Sequence, residues 1–453
     1  MLHALLAPVD AAWLAALRVM FGLLLSVSML RFIAYGWVNR FFVQPRFHFK
    51  YWGFSPAEPL PAAAMHGLFW ALAGLALMVA VGVLYRVSSL LLAAGLTYIQ
   101  LIDVTTYLNH YYLAGLIAWL LAFTPAQRVW SIDAWRARRE ALPTTVPCAV
   151  LYLFRFQVGV VYVFAGLAKL QSDWLLHAQP LRIWLGSSVE LPVIGEMLRL
   201  PGVPLALSWA GFLFDSTVVL WLSMRRTRPY AYAVLLGFHA MTRLLFPIGM
   251  FPVIMSCAAL VFFSPGWPRR VLALVGRRRG PVSSAAISGT KMRRTHGLWL
   301  GLGLLYCLVQ LALPLRSLAY GGNVLWHEQG MRFSWRVMVR AKGGAVTFVV
   351  REASGRTFHV SPRAYLTDLQ ESEMSSQPDL ILQLAHHIAR DFEQRGRGPV
   401  AVFADARVAL NGRRSRPMID PGVDLTQVHD GLAPASWVLP APQAPPPHTR
   451  AVR

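Results

Sequence analysis

One lysine stands inside a long apolar run, the stretch from Val161 through Gly166 and Lys169 to Asp173 and Trp174. The chain has four lysines, Lys50, Lys169, Lys291 and Lys342, and the rest of its basic charge is arginine. A cation in apolar surroundings is costly unless it snorkels to an interface, pairs, or loses its proton. A lysine amine kept from water can shed its proton and act as a general base. Asn109-His110 follows another apolar run, and such a pair can donate hydrogen bonds to a developing oxyanion. His239 lies in an apolar run. So do Asp215 and Arg155, which could pair with each other inside a helical bundle. An apolar bundle around these groups suits a lipophilic substrate or cofactor. The residue types therefore point to a membrane site where a lysine deprotonates a hydrophobic acid. Each group also has a plainer use: Lys169 as an interfacial anchor, His110 as a helix cap, His239 as a link between helices. What favours the chemical reading is that all of them fall toward one membrane face. The cysteines, Cys148, Cys257 and Cys307, form no CxxC pair and no metal-ligand spacing, so no metal site is expected.

The elements that must position these groups are membrane helices. Of 453 residues, 56% are hydrophobic and 14% charged, and the mean hydropathy is +0.46. Soluble domains carry about 25% charged residues. The fold class expected is a polytopic α-helical membrane protein of about nine transmembrane helices, with a C-terminal extracytoplasmic α+β domain. The spans are predicted near residues 11–36, 63–85, 87–108, 111–127, 148–170, 203–224, 229–246, 247–264 and 296–315. The net charge of +22 comes from arginines in short links between apolar runs, which orients a membrane protein and does not indicate nucleic acid. Arg128, Arg136, Arg138 and Arg139 follow the fourth span. Arg225, Arg226 and Arg228 link the sixth and seventh. Eight basic residues lie from Arg269 to Arg294. These loops are expected in the cytoplasm, with the N-terminus, which places Asn109-His110 and Lys169 at the outer ends of their spans.

Beyond residue 316 the periodicity changes. Phe333–Arg340 and Ala345–Glu352 alternate as strands around a Lys342-Gly343-Gly344 turn, with a third strand at Arg356–Val360. Asp379–Glu393 reads as a helix, and 399–405 and 406–411 as further strands. The domains expected are 1–315, a transmembrane domain carrying the site for the lipophilic ligand; 316–433, the α+β domain; and 434–453, a disordered Pro/Ala-rich tail. The Gly/Ser-rich link Gly280–Thr290 is expected to be mobile.

The lysine segment, from Val161-Tyr162 through Ala165-Gly166 and Lys169-Leu170 to Asp173-Trp174, closely resembles that of vitamin K-dependent γ-glutamyl carboxylases. Further segments match in the same order. They are Asn109-His110 with Tyr112, Leu113 and Gly115; Trp130-Ser131 with Asp133; Phe238-His239 with Met241; Ile248-Gly249-Met250-Phe251; Trp267-Pro268-Arg269; Phe333-Ser334-Trp335; and Asp420-Pro421 with Val423-Asp424. The resemblance covers about residues 11 to 430. Ala168 stands where the family often has a second lysine, and Thr242-Arg243 where it has an asparagine and no arginine.

The resemblance implies an integral-membrane enzyme that converts protein-bound glutamate to γ-carboxyglutamate. The reaction is coupled to oxygenation of vitamin K hydroquinone (phylloquinol or menaquinol) to its epoxide, with O2 and CO2 as co-substrates. It implies Lys169 as the base for the hydroquinone, with His110 as the second catalytic residue. Asn109, His110, His239 and Met241 would contact the cofactor, and Trp174 and Trp335 the glutamate. The γ-proton is too weakly acidic for a side-chain base, so the cofactor carries the hard chemistry. The partners implied are a glutamate-containing protein or peptide, membrane lipid and quinone. Compact size and arginine bias suggest a bacterial inner membrane, with the C-terminal domain periplasmic. Because bacterial relatives with the shared HTTM-type module need not carboxylate, the alternatives are a quinol epoxidase that does not carboxylate and a non-catalytic quinone- or lipid-binding membrane protein.

Overall fold

The computed structural model describes residues 2–137, 143–186, 195–198, 200–276 and 294–447. Arg138, Arg139, Lys291, the Gly280–Thr290 link and the last six residues lie outside the described residues. The helices that build the membrane part are α1 (Ala12–Ala34), α2 (Ala62–Val81), α3 (Tyr85–Ile102), α4 (Asn109–Ala122), α5 (Cys148–Lys169), α6 (Val203–Ser223), α7 (Arg228–Leu245), α8 (Phe251–Ala258) and α9 (Arg294–Leu315). Proline stands at the N-terminal boundary or first turn of α2, α5, α6, α7 and α8, where a missing N–H costs nothing.

Among the described residues six helical stretches are long and apolar enough to cross a membrane: α1, α2, α3, α5, α6 and Gly297–Ala319. A seventh span is added if Phe251–Phe262 and Trp267–Leu274, bent by 103°, count as one. The expected count of nine is not reached. The 14 residues of α4 span about 21 Å, short of a hydrocarbon core of about 30 Å. In α7, Arg228 and Arg243 lower the apolarity of the helix.

Buried polar groups pin the bundle. The fully buried Arg18 of α1 donates to the carbonyls of Ala126 (2.9 Å) and Trp130 (2.6 Å). Arg155 of α5 donates to the carbonyls of Val261, Phe262 and Phe263 at 2.9–3.1 Å. It therefore satisfies the carbonyl end of a helical turn, and the plainer use left open for it, a pair with Asp215, is not made. At Gly166 a Cβ would stand 2.6 Å from Ser216 Oγ and 2.9 Å from its backbone nitrogen, so α5 and α6 touch there backbone to backbone.

The C-terminal part is an antiparallel sheet of β1 (Lys342–Glu352), β2 (Thr357–Val360), β3 (Val400–Leu410) and β4 (Arg416–Pro417), in the order β2-β1-β3-β4. Alternate residues of β3 (Val402, Ala404, Ala406 and Val408) are buried beneath the helix Pro378–Gln394, which turns Leu380, Leu384, Ile388 and Phe392 inward. Phe49, Val104 and Ala168 from the membrane part join the same apolar cluster, so the two parts share a core.

Four sequence expectations change here. Residues 333–340 are not a strand: Phe333, Trp335 and Met338 have φ of 62°, 57° and 51°, which no strand accommodates. Their alternation is that of a coiled segment turning side chains into the membrane part. The Lys342-Gly343-Gly344 turn is instead the start of β1, and β3 runs unbroken across the break expected at residue 406. The stretch expected as a disordered tail is bonded to the body of the domain as far as Ala444, whose carbonyl accepts from Arg413 Nε. Ile419 bridges Val438, Leu439 donates to Met418, and Trp326 Nε1 donates to the Leu439 carbonyl.

Candidate active site

Lys169 is the last residue of α5, and its Nζ donates to Asp215 Oδ2 of α6 at 2.7 Å and to the Ala165 carbonyl at 3.2 Å. Both side chains of the pair are at least nine-tenths buried. The Trp174 ring stands 5.2 Å from Nζ. A cation–carboxylate pair at this depth must be matched in geometry, because each charge alone is costly. The pair opens onto a cavity of about 870 Å³, mouth included. Its wall is made mainly of Val161, Ala165, Leu207, Gly211, Phe238, Leu245, Phe246, Ile248, Phe251 and Met338, with Lys169, Asp215, His239, Tyr162, Trp174, Met241 and Thr242 as the notable other members. Tyr162 Oη and His239 Nε2 are 2.8 Å apart, and His239 Nδ1 is buried without a hydrogen-bond partner among the described residues.

A second cavity, about 730 Å³ with its mouth, lies between the membrane part and the C-terminal part. Its wall is polar, with Arg332, Arg336, Arg340, Glu328, Glu373, Gln377 and Asn109. Met338 lines both cavities and stands at the partition. Arg332 pairs with Asp379 at 2.5 Å, and Glu328 is held by Arg340 and by Lys342 (2.9 Å). Burial raises the Glu373 carboxyl above the usual range, and the nearby Arg340 and Arg332 counter this only in part.

The expected site residues divide between these places. Lys169, His239, Met241 and Trp174 share the apolar cavity. Asn109 lines the polar one. Its Oδ1 accepts from Tyr107 Oη at 3.0 Å, and that oxygen accepts from the Phe333 N–H at 2.9 Å. His110 does not line the Lys169 cavity; Phe251 stands between, 6.4 Å from His110 and 6.1 Å from His239 between ring centroids. The Asn109-His110 pair is therefore not directly beside the lysine, as the sequence suggested. Trp335 is fully buried and stacks on Tyr112 at 4.9 Å, lining neither cavity. The sequence reading left Asp215 open to pairing with Arg155 and gave Tyr162, Met338, Arg340 and Glu373 no role. Asp215 was the findable one, as the only carboxylate within the α6 run.

The HTTM domain model matches residues 6–267, and that of the lumenal domain of vitamin K-dependent γ-carboxylases matches residues 295–444. The chain belongs to the vitamin K-dependent γ-carboxylase family. The apolar cavity lies mostly within the stretch matched by the first model, and the second supplies Val337 and Met338 to its wall. The family implies a vitamin K cofactor, a glutamate-containing protein substrate and an extracytoplasmic C-terminal part. No solved structure matches the chain.

Proposed function

We propose that this membrane protein is a γ-glutamyl carboxylase driven by reduced vitamin K, with residues 1–315 carrying the quinone site and 316–433 forming a periplasmic domain of a bacterial inner-membrane enzyme. The observation that carries the reading is the Lys169–Asp215 pair opening onto an apolar cavity. The cavity fits a naphthoquinol: it is walled by aliphatic and aromatic side chains, and its unpartnered donor or acceptor, His239 Nδ1, awaits a polar ligand atom. Lys169 would act as base in its uncharged form, taking the hydroquinone proton at Nζ, and Asp215 would then supply the counter-charge of the ammonium that results. His239, oriented by Tyr162, would hold a second quinol oxygen, and Met241 and Phe251 would pack the ring. When bound, reduced vitamin K supplies, with O2, the strong base that a glutamyl γ-carbon requires. Arg332, Arg336 and Arg340 receive the anionic substrate in the polar cavity, from which the glutamyl side chain passes Met338 toward the quinone. Asn109, held by Tyr107, orients the substrate on that side.

The test is reconstitution with hydroquinone, a glutamyl peptide and labelled bicarbonate. Label in the peptide and epoxide in the lipid are expected, each falling at least about a hundredfold in Lys169→Ala. Epoxide without peptide label would identify a quinol epoxidase, and quinone binding without turnover a binding protein; either would overturn the carboxylase reading.

A further inference from the structure

We propose that Arg413 and Asn411, at the tip of the hairpin between β3 and β4, are positioning residues for Lys169: by gripping Asp173 they hold the lysine in line with Asp215. The inference rests on the reading of Lys169 as the base. After Lys169 the chain leaves its helix, and Gln171 is extended (φ −148°, ψ 153°) before the short turn Ser172–Leu175. Such a corner does not fix its own geometry, since only Leu170 and Gln171 close back on the last turn.

Two outside anchors hold it. On the membrane side, Trp174 Nε1 donates to the Ser208 carbonyl at 2.8 Å, and Ser208 Oγ donates to the Trp174 carbonyl at 2.5 Å. Ser208 and Asp215 are seven residues apart, on one face of α6, so the same helix face holds Trp174 and Lys169. On the outer side, Arg413 makes a fork onto Asp173, with both N–H···O distances 2.6 Å, and Asn411 Nδ2 adds a third bond at 2.8 Å. The ion pair is about nine-tenths buried. Burial alone would push the Asp173 carboxyl up, but the bonds from Arg413 and Asn411 and the arginine charge bring it below its ordinary value.

The gripping side is itself built in. Arg413 Nε donates to the Ala444 carbonyl at 2.7 Å. Asn411 exchanges bonds with the backbone of Ala341, N to O at 2.8 Å and Ala341 N to Oδ1 at 2.9 Å. Neither Arg413 nor Asn411 lines the apolar cavity. They reach the lysine only through Asp173, so the outer domain completes a site inside the membrane without touching its ligand.

The test uses the full-length protein in lipid nanodiscs. Acetic anhydride labelling of Lys169, followed by peptide mass spectrometry as a function of pH, reports on the amine without requiring turnover. Arg413→Ala is expected to shift the labelling profile and raise the rate at neutral pH several-fold. The control Arg363→Ala, in an exposed ion pair elsewhere, leaves it unchanged. In turnover, Arg413→Ala is expected to lower kcat for hydroquinone oxygenation at least tenfold with KM for hydroquinone unchanged, because the cavity wall is intact. Arg413→Lys recovers little, since a point charge cannot make the fork. The exchange Asp173→Arg with Arg413→Asp recovers part. If Arg413→Ala does not fold, Asn411→Ala carries the test, with a smaller shift in the same direction. A wild-type labelling profile in a folded variant, or a raised KM with kcat intact, overturns the inference. A shifted profile in a protein without carboxylase turnover supports it while overturning the carboxylase reading.

Discussion

A lysine and an aspartate 2.7 Å apart in an apolar bundle are each other's solvent. Removing one partner of such a pair leaves an uncompensated charge, at a cost of about 3–5 kcal/mol. The opposite case is Glu373, a half-buried carboxyl facing a cavity lined by Arg332, Arg336 and Arg340. Its raised pKa means that the fold favours the protonated form. The stability it contributes is therefore present below the ordinary carboxylate value and is lost as pH rises through the folded value. Glu373→Gln should raise Tm at neutral pH, as read by thermal shift. It should also lower KM for a glutamyl peptide about tenfold, by removing a like charge from the path of the substrate. In the wild type that KM should fall as the pH is lowered toward the range where Glu373 takes up its proton, and in Glu373→Gln this dependence should vanish. A KM unchanged by the substitution would place the substrate carboxylate elsewhere. At this scale the sequence showed Lys169 well, because a rare cation in an apolar run stands out. It could not pair the lysine, because Asp215 and Arg155 are equally isolated charges and only the helix rotation decides which meets which.

Between elements, the decisive contact is the crossing of α5 and α6. Gly166 lies one turn before Lys169, and Ser216 is next to Asp215, so the closest approach of the two helices coincides with the charged pair. A methyl at Gly166 meets Ser216 backbone atoms at 2.9–3.0 Å, which a rotamer change cannot relieve. Gly166→Ala should therefore push the helices apart, destabilising the protein by about 1–3 kcal/mol. It should lower hydroquinone turnover more than Gly159→Ala, whose nearest contact is a Val219 methyl at 3.4 Å. Equal losses from the two substitutions would show that spacing at the pair does not matter. The sequence read helices reliably wherever apolar runs were long. It failed at 333–340, where alternating apolar residues are a signature shared by strands and by a coil with three left-handed residues. The deciding influence there is the long-range docking of Phe333 on Tyr107 and of Trp335 on Tyr112.

Across the whole molecule, the membrane part and the C-terminal part are joined by polar groups that bond across the seam. Asp103 accepts from His48 (3.1 Å), Thr105 and Gln370 (2.8 Å), and Gln383 exchanges bonds with the Lys50 backbone. Charge placement and apolar runs made the two-part organisation legible. This seam was not, because its residues are ordinary polar side chains hundreds of positions apart. The seam also fixes a consequence for topology. Asp103, Tyr107 and Asp173 all contact the C-terminal part, so the ends of α3 and α5 must lie on the same membrane side as that domain. The arginine-rich link Arg225–Arg228 lies at the other end of α6 from Ser208, which contacts Trp174. The positive-inside rule then puts that link in the cytoplasm and the sheet outside. In a background where Cys148, Cys257 and Cys307 are replaced, Ser354→Cys at the exposed β1–β2 turn should react with a membrane-impermeant maleimide when the membrane that holds the protein is intact. Arg226→Cys should react only after that membrane is opened. The reverse pattern would turn the molecule over and place the polar cavity in the cytoplasm, where only cytoplasmic proteins could reach it.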